Sequence, residues 1–373
     1  MNFSMALAGI LFALSPVLSN YIFLGPLSIG DVSLLASLLF FVKQIEPTKF
    51  FVISLLMCLG VILLSIFPFI DGGIIPKSFS RASFFLLILP FFLSLSKKGY
   101  YCILAVYLKV ALLLSILLII QLFFYYILNI NFTMQLPIPV FEVDTLDVID
   151  PRYAGFRAAG VFKEPSYFAI FISPALLYYA KVNVLKKYIF YFVVLIASTS
   201  SFGIAFAILS LFIFVSRGVH NKNNLMIIMT MFPLFLIGFV GFMLFTQNIA
   251  ILRFFELSQG GGSLQERLFN MFNVVSDFSF FVNYDLSRDV LIFNSKDIWY
   301  NSFVYLVANF GLIFLIPFLL FGIRVGWFTS CCVIILLLFT HSFSNSFFTV
   351  FLVLCYCIDN LDFFNKDPKI NLI

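Results

Sequence analysis

Apolar runs near 3–19, 27–42, 50–70, 82–96, 100–128, 166–181, 187–199, 202–216, 224–246, 300–321, 327–340 and 345–358 leave this chain few ways to fold. They repeatedly approach the ~20 residues a helix needs to cross the ~30 Å apolar core of a bilayer. No backbone N–H or C=O can stay unpaired there, so such runs become helices. The expectation is an all-α, polytopic integral membrane protein: one domain over 1–373 with about 12 transmembrane helices, several of them short. With 62% hydrophobic residues, 10% charged and 54 phenylalanines, the composition excludes a soluble domain.

The weakest boundary is Ser198-Thr-Ser-Ser201, either a tight turn between two spans or a polar interruption in one long helix. One helix would give 11 spans and invert everything after it. Positive charge in short loops discriminates between the two. Twelve spans put Lys43, Lys49, Lys97, Lys98, Lys181, Lys186, Lys187, Arg217, Lys222, Arg324, Lys366 and Lys369 on one side, whereas eleven scatter them. The twelve-span arrangement makes both termini cytoplasmic. The long polar loops 129–165 and 247–298 then face outward, carrying eleven of the 17 acidic residues. The start, Met1-Asn2-Phe3-Ser4-Met5, lacks the basic region of a cleaved signal, so the first run reads as a retained span.

The six cysteines all lie in or beside apolar runs, which implies neither a disulfide framework nor a metal site. The net charge of +5 is spread along the chain and forms no basic stripe with interleaved aromatics, so nucleic acid is not a partner. Chemistry belongs to the outward loops.

The first loop ends in Arg152-Tyr-Ala-Gly-Phe-Arg157-Ala-Ala-Gly-Val-Phe-Lys163-Glu164-Pro-Ser, directly ahead of an apolar run. Arginines at headgroup level grip a phosphate or pyrophosphate through bidentate, charge-assisted hydrogen bonds. Arg157 and Arg152 are therefore candidate substrate ligands, while Lys163 is read as snorkelling to headgroups. Glu164 precedes Pro165, a residue suited to a first helical turn. Its carboxylate reads two ways, as a partner of the helix dipole or as a general base or sugar-hydroxyl ligand.

In the second loop, Gln259-Gly-Gly-Gly-Ser263 precedes a stretch with Leu264, Leu268, Met271, Phe272 and Val275 at helical spacing. This predicts an interfacial amphipathic helix carrying Glu266 and Arg267, with a flexible hinge such as a lid over a lipid-linked substrate needs. The chain re-enters the membrane at Asp297-Ile-Trp-Tyr-Asn301, where Asn301 caps a span or meets substrate. His341 reads as packed or solvated, and Lys109 as close enough to the cytoplasmic end to snorkel.

At these residues the chain resembles the O-antigen polymerase (Wzy-type) family, within the group that also holds the O-antigen ligases. The resemblance covers about 150–320 and rests on three elements. They are Arg157-x-x-Gly160-x-Phe162-x-Glu164-Pro165-Ser166, a Ser263-x-x-x-Arg267 helix in the second loop, and Asn301-Ser-Phe followed by Gly311. It implies a GT-C-like glycosyltransferase of the bacterial inner membrane, joining undecaprenyl-pyrophosphate-linked oligosaccharide repeats on the periplasmic face. No cofactor, nucleotide sugar or metal is implied. Membrane lipids surround it, and a chain-length regulator protein is a further candidate partner. Arg157 and Arg267 would bind pyrophosphate or glycan, with Arg152, Arg288 and Asn301 as lesser ligands and Glu164 as the base. Ligases of the group carry a histidine before the asparagine of the third element; Tyr300 stands here, which favours a polymerase over a ligase. The serine-rich 198–203 lacks the arginine common in the group and receives no role. A flippase of lipid-linked glycans is the alternative of another class, and it would place more ionisable residues along the membrane interior.

Arg157→Ala and Arg267→Ala are each expected to abolish long glycan chains while leaving protein level and membrane insertion unchanged. A glycan ladder on a gel, beside an immunoblot of membranes, reads both; normal ladders from both variants would remove the assignment.

Overall fold

The computed structural model describes residues 3–24, 27–66, 77–130, 134, 149–150, 155–156, 158–198, 200–218, 301–340, 343 and 345–360. The expected 224–246 span and most of both long loops lie outside the described residues. Within them the chain is mostly helical. In order come α1 (Phe3–Leu18), β1 (Ile22–Leu24), β2 (Leu27–Ser28), α2 (Ile29–Phe41), α3 (Lys49–Ile66), α4 (Lys77–Phe92) and α5 (Lys97–Leu128). After these follow β3 (Ile149–Asp150), β4 (Gly155–Phe156), α6 (Pro165–Lys181), α7 (Leu185–Ala197) and α8 (Ser201–Gly218). The last are α9 (Ser302–Phe310), α10 (Leu315–Val325), α11 (Trp327–Phe339) and α12 (Ser346–Asp359). β1 pairs with β2 and β3 with β4, both antiparallel.

Two compact units emerge: one holds α1–α4, the start of α5 and α9–α12, and the other holds the rest of α5 with α6–α8. In the first, α1 and α2 form an antiparallel hairpin held by hydroxyls. Ser37 Oγ donates to the Ala8 carbonyl and Ser33 Oγ to the Leu11 carbonyl, each at 2.9 Å. Gly30 makes this approach possible, since a Cβ there would stand 2.2 Å from the Ser15 carbonyl oxygen. A capping box starts α2: the Asp31 N–H donates to Ser28 Oγ at 3.2 Å, and the Ser28 N–H donates to Asp31 Oδ2 at 2.8 Å.

One end of this unit gathers the lysines. Ser96 Oγ donates to Gln44 Oε1 at 2.7 Å, which joins the segment carrying Lys43 and Lys49 to the start of α5 with Lys97 and Lys98. Arg324 lies 5.5 Å from the Phe50 ring and 5.6 Å from the Tyr356 ring, at the same end. Cys102 Sγ donates to the Met5 carbonyl at 3.0 Å, so α1 begins there too.

The opposite end carries a departure from expectation. The run 300–321, read as one span, breaks at Gly311, whose φ of 67° lies in the left-handed region and ends α9. Ser302 Oγ donates to the Thr340 carbonyl at the end of α11 at 2.8 Å. At the far end of α9, the Phe310 ring packs 5.4 Å from that of Phe79 on α4, and its carbonyl lies 3.4 Å from Ser65 Oγ of α3, which donates at 2.8 Å to the Val61 carbonyl of its own helix. The nine-residue α9 therefore lies across the ends of α3, α4 and α11, and α10 makes the return alone.

In the second unit, α7 ends at Ala197 and α8 begins at Ser201. Tyr188 stacks on Phe214 at 4.3 Å and its hydroxyl meets Ser210 Oγ at 3.2 Å, while a Cβ on Gly203 would lie 3.1 Å from the Leu195 carbonyl. Residues 188 and 195 thus face 210–214 and 203, so α7 and α8 are an antiparallel hairpin rather than one helix. Buried α6 packs against α8 through the Ala169–Gly203 approach.

Among the described residues, α3 and α5 are long and apolar enough to cross a membrane; at 32 residues α5 measures about 48 Å. Both expose large side chains, including Leu56 and Leu63 on α3 and Leu113 and Ile127 on α5. Apolar faces this extensive need an apolar covering.

Gly30→Ala is expected to destabilise the protein by about 2 kcal/mol or more, because backbone rather than a movable side chain stands in the way. Gly60→Ala, with nothing within 4 Å of the added methyl, is expected to stabilise by about 0.5–1 kcal/mol. Thermal unfolding of the purified protein in detergent reads both signs.

Candidate functional site

Of the candidate catalytic and substrate-binding residues, Glu164 and Asn301 are described. Arg152, Arg157, Arg267, Arg288 and His341 lie outside the described residues. Glu164 belongs to the second unit and Asn301 to the first.

Glu164 is reached through a short segment that folds onto α5 and α6. The Gly160 N–H donates to Gln121 Oε1 of α5 at 2.8 Å, a buried bond made with Gly160 at φ 61°. The Phe162 N–H then closes a turn on the Ala159 carbonyl at 3.1 Å. The Phe162 ring is fully buried, 6.1 Å from that of Phe168 and 5.4 Å from that of Phe171. Burying an aromatic ring this way removes on the order of 150–250 Å² from solvent and fixes the path of the chain.

That path delivers Glu164 at φ −135° and ψ 150°, the N-cap position of α6, with Pro165 in the first helical turn. The backbone carbonyl of Glu164 accepts from the Tyr167 and Phe168 N–H groups, at 3.1 and 3.3 Å. Its carboxylate makes no cap bond to the helix. Instead Oε2 accepts from Ser166 Oγ at 3.0 Å, and the half-buried side chain has the second oxygen uncommitted among the described residues. One held oxygen and one open oxygen at a helix start are suited to accepting a proton from, or orienting, a hydroxyl.

Asn301 is fully buried and works as a cap: Oδ1 accepts from the Val304 N–H at 2.8 Å, at the head of α9. Its Nδ2 is buried with no hydrogen-bond partner among the described residues. Ser302 beside it donates its N–H to the Thr340 carbonyl at 2.6 Å and accepts at Oγ from the Phe343 N–H at 3.1 Å. The start of α9 is thereby tied to the end of α11.

Sequence reasoning missed an ion pair. Arg81 Nη2 meets Asp31 Oδ2 at 3.2 Å, with the carboxylate side chain 0% exposed and the arginine 25%. Two signals stood in the chain: Ser28-x-x-Asp31 is a capping-box spacing ahead of an apolar run, and Arg81 immediately precedes another such run. Neither residue lies in a long loop, and attention to the loops passed over them.

Comparison with family models, curated proteins and solved structures gives no match. What the fold itself defines is a class: a mostly helical chain with two helices able to cross a membrane and several shorter apolar ones.

Gln121→Leu is expected to cost about 1–3 kcal/mol, the usual effect of stranding a buried donor, here the Gly160 N–H. Gly160→Ala should cost roughly 1–2 kcal/mol through left-handed strain, since the nearest atoms to its Cβ stand at an ordinary 3.7 Å. Thermal unfolding measures both losses, and faster tryptic cleavage after Lys163 would locate them.

Proposed function

We propose that this chain is a polysaccharide polymerase of the bacterial inner membrane. It joins undecaprenyl-pyrophosphate-linked repeat units of an O-antigen or capsule on the periplasmic face. The observation that carries the reading is Glu164: a carboxylate at the start of a buried helix, excused from capping, steadied by Ser166 and open on its other oxygen. Glu164 belongs to the Arg157–Ser166 sequence element on which the resemblance to Wzy-type polymerases rests.

The proposed topology has twelve spans. The gathering of Lys43, Lys49, Lys97, Lys98 and Arg324 at one end of the first unit, together with the start of α1, supports a cytoplasmic assignment for that end. The α7–α8 hairpin favours two crossings over one at 187–216. Exposed apolar faces on α3 and α5 would lie against lipid tails.

In the proposed reaction, a hydroxyl at the non-reducing end of a new lipid-linked repeat attacks the anomeric carbon of the growing glycan. The new glycosidic C–O bond forms as the C–O bond to pyrophosphate breaks, and undecaprenyl pyrophosphate leaves with the bonding pair. Glu164 takes the hydroxyl proton. Arg157 and Arg267 stabilise the charge that grows on the pyrophosphate, with Arg152 and Arg288 as further contacts. No cofactor has a part in these steps.

A flippase is the second reading, and the buried Asp31–Arg81 pair is the observation in its favour, because ionisable groups inside membrane proteins often mark transport paths. The pair lies at the start of α2 and in the first turns of α4, however, rather than midway along either helix. A ligase reading is weakened by Tyr300.

The test is the surface-glycan ladder of cells lacking the gene, complemented with wild type or Glu164→Gln. Deletion should collapse the ladder to one repeat on an otherwise normal anchor. Glu164→Gln should lower polymerisation by about 10²–10⁴-fold, the ordinary contribution of a general base. An unchanged ladder on deletion refutes the reading. Polymer left on undecaprenyl pyrophosphate with a bare anchor would indicate ligation, and single repeats held on the cytoplasmic leaflet would indicate transport.

A further inference from the structure

Where α6 turns into α7, the second unit presents a corner of one charge sign. Lys181 closes α6, Lys186 and Lys187 open α7, and from Pro165 to Gly218, the whole of α6–α8, the sequence holds no Asp or Glu. Glu164 precedes the other end of the 17-residue α6, about 26 Å away along the helix. Backbone bonds fix the connection. The Val182 N–H donates to the Tyr178 carbonyl at 2.9 Å and the Val184 N–H to the Tyr179 carbonyl at 3.2 Å. Asn183 stands between them at φ 57°, a left-handed position that asparagine tolerates. Tyr179 and Tyr191 stack at 5.3 Å with their planes 12° apart, and Lys187 Nζ lies 5.3 Å from the centroid of the Tyr179 ring. Three like charges are thus kept close together, and α6–α8 supply no carboxylate to set against them.

Past the lysines the surface becomes apolar. Lys186, Ile189 and Val193 fall at i, i+3 and i+7, on one face of α7, and all three are exposed, Ile189 at 42% and Val193 at 43%. A cation at the helix end with aliphatic side chains following it along the same face matches the two parts of a phospholipid, a phosphate at headgroup level and an acyl chain beside the helix. Lysine is a phosphate binder, acting as a point charge. A zwitterionic headgroup brings its own cation, which the lysines repel, so charge complementarity selects a headgroup of net negative charge. In the proposed twelve-span topology this corner faces the cytoplasm, where anionic lipids make the leaflet negative. We propose that the α6–α7 corner binds an anionic phospholipid, with its phosphate on Lys186 and Lys187, Lys181 adding to the field, and an acyl chain along Ile189 and Val193. The assignment is independent of the polymerase reading and requires only that this end of the second unit lie at headgroup level.

The full-length protein is reconstituted in phosphatidylcholine nanodiscs that contain a small fraction of phosphatidylglycerol with a photoactivatable diazirine on its acyl chain, and labelled peptic peptides are read by mass spectrometry. Labelling of the α7 peptide is expected to exceed that from the matching phosphatidylcholine probe by about tenfold, the effect of roughly two lysines near an anionic headgroup. Unlabelled phosphatidylglycerol should suppress it, and the same concentration of inorganic phosphate should not. Replacing all three lysines, Lys181→Gln, Lys186→Gln and Lys187→Gln, should remove the excess, and the corresponding three arginine substitutions should restore it. Lys43→Gln with Lys98→Gln, at exposed positions of the first unit, should label as wild type. Size exclusion confirms that each variant is monodisperse. Equal labelling by the two probes, or an excess unchanged in the glutamine variant, would make α7 an ordinary lipid-facing helix and overturn the inference. Suppression by inorganic phosphate would reassign the corner to free anions, and no labelling by either probe would leave it to a protein partner; each overturns the lipid assignment while the polymerase reading stands.

Discussion

Serine hydroxyls donated to backbone carbonyls of neighbouring helices are the contacts on which the first unit depends. In water, two apolar helices associate because burial removes them from solvent; among lipid tails that drive is absent, and close packing with polar contacts must replace it. Ser33 and Ser37 tie α2 to α1, and Ser302 ties α9 to α11. Each bond requires close helix approach, which is why Gly30 faces the Ser15 carbonyl directly. The same hydroxyls could have bonded within their own helices. Ser15, Ser115 and Ser173 do so, and they tie no second helix.

The helices were legible because an apolar backbone in lipid has few alternatives to the helix. The run 3–19 became Phe3–Leu18, 166–181 became Pro165–Lys181, and 345–358 became Ser346–Asp359. The open question at Ser198–Ser201 was one that periodicity cannot answer, because a serine cluster is compatible with a turn or a helix. Pairing of Tyr188 with Phe214 answers it through a contact 26 residues away in sequence. The break at Gly311 was hidden for a different reason. Glycine inside an apolar run is tolerated in membrane helices, and only the anchoring of Ser302 to Thr340 and of Phe310 against Phe79 shows the chain turning there.

At the candidate site, the sequence revealed which residue types stand together but not how their side chains divide their work. Glu164-Pro165 correctly announced a helix start. Whether the carboxylate would cap that helix depended on its rotamer, and Ser166 draws it elsewhere. Asn301 had two readings, and one amide serves both: its oxygen caps α9 while its nitrogen stays uncommitted. Asp31 and Arg81 are fifty residues apart, and nothing in either local stretch announces the other.

Where the charges sit bears on what such a chain can do. An isolated carboxylate in an apolar interior is costly, and Asp31 is tolerated because Arg81 and the Ser28 N–H both bond it at the start of a helix, where the dipole also attracts it. The Asp31–Arg81 pair and the Asn301 cap thus sit in the first turns of their helices, while helices such as α6 and α12 are buried along nearly their whole length.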